Sequence, residues 1–333
     1  VKILYVGKHG QLTSSNDDEG AVAHALRQLG HTVECLGEED GPRLVERGLD
    51  KGADLLLFNH WLFNCPQEPE YIRRIRCPKV FWYFDLVDCA DETLRARCTF
   101  RRQGMARVLP LIDLGFCTDG DWVAEGAARH SLDAGKLLWL PQGFDERQRP
   151  APPEDGSPRA CNPRNRQEGA PIPREIPVLF LGAKNRAGRV RRSFVEELRD
   201  RYMGRFIHVW HGCHGAELAE AIHRAKIVVA PDGPGTDRYW SNRVYLVTGL
   251  GGFLLHPYSA GLTESLCGYR DSREVGFYRS REDLWRLLDY YLQRPDERRQ
   301  IAEAGRARTL AQHTYRHRVV ELLRTVKERL GVG

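Results

Sequence analysis

Two series of alternating strands and helices, separated by a proline-rich break, restrict the fold of this chain more than any other feature of its sequence. The first series holds apolar strands at residues 2–7 (KILYVG), 31–36, 54–59 (DLLLFN), 79–84 (KVFWYF), 114–118 (LGFCT) and 136–140. Helical patterns lie between them at 18–29, 41–51, 91–109 and 122–130. Strands that are apolar throughout, rather than at every second position, are buried on both faces, as in a parallel sheet covered by helices. The helix at 18–29 carries its own punctuation. Asp17 is placed to cap it, Val22, Ala25, Leu26 and Leu29 recur at helical spacing, and Gly30 follows its end. Residues 146–177 then break the pattern with 8 of the 18 prolines and no hydrophobic period, as a linker or surface loop does. At 32 residues the break is long for the inside of a compact domain and so marks a boundary. Beyond it the alternation restarts, with strands at 178–181, 206–210, 226–230, 253–256 and 275–278, and from Arg281 onward the chain reads as helix. The expected architecture is α/β, with two Rossmann-like domains at 1–145 and 178–333 joined by 146–177. A helical tail ends the second domain, and a ligand cleft opens between the two at the carboxyl ends of their strands.

The stretch DGPGTDRYWSNRVYLVTGLGGFLLHPYSAGL, residues 232–262, concentrates ligand-binding features. A Gly/Pro loop leads through Tyr239 and Trp240 to Ser241, Asn242 and Arg243 at the start of an apolar helix. Gly251 and Gly252 separate that helix from the next strand. Small residues admit a ligand to the backbone, helix N–H groups point at an anion, and a guanidinium clamps it. The charge distribution agrees. Residues 1–145 carry a net −5 and the remainder +10, so the basic half is the one holding this stretch. That favours an anionic ligand such as a nucleoside diphosphate, although no dense Lys/Arg run with interleaved aromatics marks a nucleic-acid surface.

Other classes are disfavoured. No apolar run approaches the roughly 18 residues of a membrane span. The opening VKILYVGKHG reads as strand and loop rather than as a signal peptide. The expected location is the cytoplasm, or a host's cytoplasm for a phage protein. Nine scattered cysteines, with no CxxC pair and no zinc-type Cys/His spacing, read as reduced, buried small hydrophobes. No metal ligands and no bound cofactor are expected.

The segments SNRVY at 241–245, GLGGFLLHPY at 249–258, GL at 261–262, DLWRLLDYYLQRPDERRQIAEAG at 283–305 and HTYRHRVVELL at 313–323 resemble, in order and spacing, the CgeB-like branch of glycosyltransferases with the GT-B fold. In the first half, DDEGAVAHALRQLGHTV and TDGDWV look like pieces of glycosyltransferase-like proteins from phage and environmental sequences. The resemblance implies transfer of a sugar from a nucleoside diphosphate sugar, with UDP-glucose favoured, held by the second domain. The acceptor, held by the first domain, would be a glycan, a protein, a small molecule or a hydroxymethylated base in phage-type DNA. The helix with Arg95, Arg97, Arg101, Arg102 and Arg107 bears on that last acceptor. No divalent ion is implied, because basic side chains offset the diphosphate charge. Related families place a Glu shortly after the Arg of this motif. Here Arg243 is followed by Val244, Tyr245, Leu246, Val247 and Thr248, so either Tyr245 or Thr248 replaces it or the donor sits differently. The competing class is a non-catalytic nucleotide- or glycan-binding protein on the same scaffold.

Arg243 is the expected pyrophosphate clamp, with Ser241 and Asn242 beside it as phosphate contacts or helix caps. Tyr239 and Trp240 are candidates to stack on a base or to pack in the core. Gly251 and Gly252 either admit the donor or end the helix. Lys184, Arg186 and Arg189 follow the first strand of the second half, and His211 and Gly212 follow the second, all at the edge facing the cleft. Transfer needs a base for the acceptor, or a face that shields an oxocarbenium-like centre. Asp85, which ends KVFWYFD, is the leading catalytic candidate. His9, in the loop after the first strand, is the second, and Asp88, Asp119 and Asp121 are further carboxylates of the same kind. Asp17, Asp18 and Glu19 read as a helix start favoured by the helix dipole.

Overall fold

The computed structural model describes residues 1–9, 17–40, 43–48, 51–61, 70–148, 176–181, 188–204, 206–209, 215–230, 236–264 and 267–333. The first half builds a six-stranded sheet from β1 (Lys2–Val6), β2 (Thr32–Leu36), β3 (Leu55–Phe58), β4 (Lys79–Tyr83), β5 (Leu114–Cys117) and β6 (Leu137–Trp139). Its helices are α1 (Asp18–Gln28), α2 (Arg43–Glu46), α3 (Glu70–Arg74), α4 (Arg95–Val108) and α5 (Ala127–Arg129), the last preceded by a π-turn at Trp122–Gly126. The second half builds a five-stranded sheet from β7 (Ile176–Leu181), β8 (Phe206–Val209), β9 (Ala225–Val229), β10 (Leu254–Pro257) and β11 (Gly276–Tyr278). Around it run α6 (Gly188–Arg201), α7 (Gly215–Arg224), α8 (Arg243–Gly249), α9 (Ala260–Thr263), α10 (Arg281–Leu292), α11 (Pro295–Gln312) and α12 (Tyr315–Leu330).

Both sheets are parallel in every pairing, as the unbroken apolar strands require. Alternate residues of one strand enter opposite cores. Leu4, Val6, Leu56, Phe58, Phe81 and Tyr83 pack with Met105 and Val108 of α4. Ile3, Tyr5, Leu57, Val80 and Trp82 pack with Val22 and Leu26 of α1. In the second sheet Val178 and Phe180 meet Phe194, Val195 and Leu198 of α6. Leu179 and Leu181 meet Leu218 and Ile222 of α7 and Val244 and Val247 of α8.

The strand orders decide where a ligand can sit. The first sheet runs β2-β1-β3-β4-β5-β6 and the second β11-β10-β9-β7-β8. Order reverses at β1/β3 in one and at β7/β9 in the other, and a crevice opens outside the carboxyl ends of the strands at such a point. The first crevice collects the residues after β1 and β3 together with the first turn of α1. At the second, the residues that follow β7 and β9 in the chain, 182–187 and 231–235, lie outside the described residues.

The two halves exchange anchors. Phe144, which follows β6, enters the second core beside Gly249, and a Cβ on Gly249 would sit 2.4 Å from its ring. In return Tyr315, Val319, Leu322 and Val326 of α12, the last helix of the chain, fill the first core beneath α1. The two crossing segments run side by side. Phe144 N–H donates to the His313 carbonyl at 2.7 Å and Tyr315 N–H to the Phe144 carbonyl at 3.0 Å. Gly143 permits this approach, since a Cβ there would lie 2.7 Å from the Thr314 backbone.

No helix among the described residues is long and apolar enough to cross a membrane. Cys35, Cys77, Cys89, Cys98, Cys117 and Cys267 are free thiols. Four of them are buried as expected, whereas Cys35 and Cys89 are partly exposed.

Candidate functional site

The first crevice is assembled from three elements. Gly7 ends β1, and its missing side chain leaves room for the carboxylate of Glu19, which a Cβ would approach to 2.4 Å. Glu19 is buried in the first turn of α1 and accepts the backbone N–H of Lys8. Asn59 follows β3 and is fully buried. It accepts the Tyr5 hydroxyl at 2.5 Å and donates to the Trp82 carbonyl at 2.6 Å, tying β1, β3 and β4 at one level. His60, the next residue, is thereby fixed with its ring against Tyr83 at 5.1 Å. Its Nδ1 lies 3.7 Å from Glu19 and its Nε2 3.7 Å from Asp85. Burial works against a charge on this imidazole, but the nearby carboxylates of Glu19, Asp85 and Glu38 prevail and raise its pKa above the ordinary histidine value.

Asp85 follows β4 and points out of the core, its side chain 45% exposed. Arg101, reaching up from α4, holds Asp85 Oδ2 at 2.9 Å and also donates to the Leu86 carbonyl at 2.6 Å. Across the cleft stands Tyr239, just before the start of α8. Burial, followed by the charge of Asp85, pushes the pKa of its phenol up. The leading carboxylate of one half therefore lies within electrostatic reach of an aromatic of the ligand-binding stretch of the other.

A second set of bonds joins the halves around this point. The carboxylate of Asp18 accepts Asn242 Nδ2 at 3.1 Å, the Tyr315 hydroxyl at 2.7 Å and Gln142 Nε2 at 3.1 Å. Burial pushes Asp18 up to about 6, against the pull of the Tyr315 and Asn242 hydrogen bonds. Asp121 accepts the backbone N–H groups of Asp237 and Arg238 at 2.9 and 3.1 Å, and Gly120 N–H donates to the Arg238 carbonyl at 2.9 Å. Arg243 opens α8, its backbone N–H donating to Ser241 Oγ at 3.3 Å. Its guanidinium lies near enough to His256, at the end of β10, to help depress that buried imidazole to about 4, burial being the larger cause.

Several sequence expectations are redirected by these positions. Trp240 is buried, donates to the Tyr245 hydroxyl at 3.0 Å and packs edge-on against Trp139, so it is part of the core rather than a stacking surface. Gly251 adopts φ +81° and Gly252 follows it, with N–H bonds to the Thr248 and Val247 carbonyls at 2.9 and 2.8 Å. This is a Schellman ending of α8, and a Cβ on Gly252 would strike Ile222 at 2.6 Å. Both glycines serve the helix end and its packing. Tyr245 and Thr248, the stand-ins for the missing acid, are buried, with Thr248 donating to the Val244 carbonyl and paired with Thr309. His9 turns toward β2. Its Nε2 contacts the Tyr5 carbonyl at 2.9 Å and its ring neighbours Cys35, on the opposite side of β1 from Asp85. Asp119 is buried and accepts the N–H groups of Val87 and Trp122, and Asp88 pairs with Arg102 at 2.5 Å. Lys184, Arg186, His211 and Gly212 lie outside the described residues, and so does the side chain of Arg189.

Sequence reasoning passed over His60, and read Arg101 only as part of an arginine-bearing helix and Glu19 only as a helix start. His60 carried a usable signal, since it follows the apolar strand DLLLFN just as Asp85 follows KVFWYF.

Comparison with known proteins bears on the same architecture. Residues 186–324 match the family model described as glycosyl transferase-like. No curated protein matches the chain in sequence. Among solved structures, a glycosyltransferase from Rickettsia africae ESF-5 superposes with a TM-score of 0.59 at 11% identity, covering 99% of this chain and 98% of that one. An alpha-glucosyltransferase in complex with UDP superposes with a TM-score of 0.65 at 9% identity, covering 98% and 99%. AviGT4, a glycosyltransferase involved in avilamycin A biosynthesis, gives 0.51 at 13% identity, covering 100% and 98%. The two parallel Rossmann-like sheets and the likeness to these structures show a GT-B fold, whose second half resembles the glycosyl transferase-like family over residues 186–324.

Proposed function

We propose that this protein transfers a hexosyl group from a nucleoside diphosphate sugar, a UDP-sugar such as UDP-glucose, to an acceptor hydroxyl in the cleft between its sheets. The observation that carries the reading is the approach of the Tyr239–Arg243 stretch to the first half's crevice, bonded there through Asn242 to Asp18 and within electrostatic reach of Asp85, in a chain whose donor-side half is the one matched by the glycosyl transferase-like family. The likeness to an alpha-glucosyltransferase in complex with UDP favours uridine. In this reading Arg243 faces the diphosphate and Asp85 faces the acceptor. Basic side chains in the second half offset the diphosphate charge, so the reaction proceeds without a divalent ion.

The test is a panel of nucleotide sugars assayed for hydrolysis and transfer, with and without EDTA. Asp85→Asn should lower kcat by about 10²- to 10⁴-fold, the usual range for a group acting on a proton in the transition state. Arg243→Ala should raise the donor KM. Full activity in Asp85→Asn, or no reaction with any donor, would overturn the reading.

For the acceptor, a glycan, protein or small molecule is the first expectation. A hydroxymethylated base in DNA is favoured by one observation, that an alpha-glucosyltransferase of the same fold is solved with UDP and a 13-mer DNA containing an HMU base. The arginine-rich helix gives this acceptor less support than its sequence suggested, since Arg101 and Arg102 are committed to Asp85 and Asp88. DNA binding that weakens steeply with salt would favour this acceptor.

A further inference from the structure

Resting on that reading, we propose that His60 is a positioning residue of the transfer reaction, standing between Glu19 and Asp85 and holding Asp85 by one oxygen so that the other faces the acceptor. Four observations support this. Both cations beside Asp85 make their shortest contact to the same atom, Oδ2: Arg101 at 2.9 Å and His60 Nε2 at 3.7 Å. Among the described residues, no hydrogen bond reaches Oδ1, on a side chain that is 45% exposed. The far nitrogen of His60 faces Glu19, whose carboxylate is itself fixed by the Lys8 N–H under Gly7. Finally, His60 Nε2 is buried and makes no hydrogen bond in the structure, at 3.7 Å from a carboxylate.

A buried polar atom without a partner costs stability. Such a cost is retained where the atom has work to do, and catalytic hydrogen bonds often stand long in the free enzyme and shorten once substrate is bound. The groups facing His60 are Glu19 from α1, Glu38 from the 3-10 helix Glu38–Asp40, and Asp85 after β4 with its Arg101 from α4. Lys8 pairs with Glu38 at 3.6 Å, and Tyr83 lies against the ring. His60 forms and breaks no covalent bond. Its charge sits between two carboxylates, so its loss frees Asp85 to turn and leaves Glu19 without its partner.

Two measurements test this. In the transfer assay, His60→Ala should lower kcat about 10- to 100-fold with the donor KM within about twofold, and His60→Gln should restore part of the loss. The limb of the wild-type pH profile that titrates above the ordinary histidine value, about 6.5, should vanish in His60→Gln. Independently of activity, ring-proton NMR should show His60 titrating above that value in the wild type, and lower in both Glu19→Gln and Asp85→Asn. An unchanged kcat and pH profile in His60→Gln, or an NMR midpoint indifferent to both carboxylates, would overturn the proposal. Should the wild type transfer no sugar from any donor, the glycosyltransferase reading fails, and the NMR arm still decides whether His60 couples Glu19 to Asp85.

Discussion

Asp18 shows how single side chains in this cleft combine structural and electrostatic duties. Its carboxylate receives donors from α12, from the crossing segment at Gln142 and from Asn242 of the other half, and burial pushes it up to about 6. An unfolded aspartate titrates near 3.9, so the folded chain holds this proton more tightly than the unfolded one. The stability it contributes is therefore fully present below about pH 4 and is lost as pH rises through about 6. Asp119, also raised to about 6 by burial, acts in the same direction. His256 and His313, lowered to about 4 and about 3 chiefly by burial, act the opposite way, since their stability is lost as pH falls below the ordinary histidine value. The two sets offset one another through the mildly acidic range. Asp18→Asn keeps an oxygen for Tyr315 and Asn242 while removing the charge. Measured against wild type, its stability should be better at about pH 7.5 than at about pH 4.5, by roughly 2 kcal/mol. Thermal melts at both pH values check this, and equal offsets would exclude Asp18 as the group responsible. At this scale the sequence is readable where a residue directly follows an apolar strand. Asp85 is found that way, and His60 could have been. That Glu19 returns beneath His60 is not readable, because it depends on β1 and β3 becoming neighbours in the sheet.

The end of α8 shows why one signal can carry two meanings. A double glycine after an apolar helix is equally suited to admitting a phosphate and to terminating the helix, and the sequence contains nothing that separates the two. The backbone does separate them. Gly251 at φ +81° closes a Schellman turn, and Gly252 makes room for Ile222 and Val247. Trp240 raised the same ambiguity, and the edge-on contact with Trp139 resolves it in favour of packing. Strands, by contrast, are read from sequence almost residue for residue, because a strand buried on both faces admits only apolar side chains and leaves a continuous run. The helix of 18–29 is also legible from its cap, and Asp17 does accept the Gly20 N–H at 2.9 Å. For α8 the test is Gly251→Ala. An L-residue held in the left-handed region costs about 1–2 kcal/mol, so the variant should lose that much stability while its KM for the nucleotide sugar stays unchanged. A large rise in donor KM with stability intact would return Gly251 to the ligand site.

At the scale of the whole molecule, the exchange of anchors between halves makes them mechanically dependent. The sequence could not announce this exchange, since the apolar face of α12 is the same whichever core it enters, and only the crossing beside Phe144 directs it to the first. Arg318 reinforces the crossing. It is buried in α12 and donates to the Gln142 carbonyl at 3.0 Å, with His313 at 3.0 Å from its guanidinium. Phe144 meanwhile seats the first half's trailing segment in the second core. Unfolding either half must therefore tear out an anchor of the other, so heat should melt the protein in one transition rather than two. Leu322→Ala probes this dependence. Leu322 is completely buried among residues of the first core, and a leucine truncated there costs about 2–5 kcal/mol. If the halves are coupled, calorimetry will show the entire heat-absorption peak of Leu322→Ala displaced to lower temperature, including the part contributed by the second half. If instead two peaks separate and only one moves, the halves unfold independently, and the exchanged helix is an attachment rather than a coupling. The coupling also bears on the cleft. Asp85, His60 and Glu19 belong to the half that α12 supports, and Tyr239 and Arg243 to the half that Phe144 supports. Weakening either anchor should therefore lower transferase activity before it unfolds the protein, and activity measured through the onset of the Leu322→Ala melt would show that order of events.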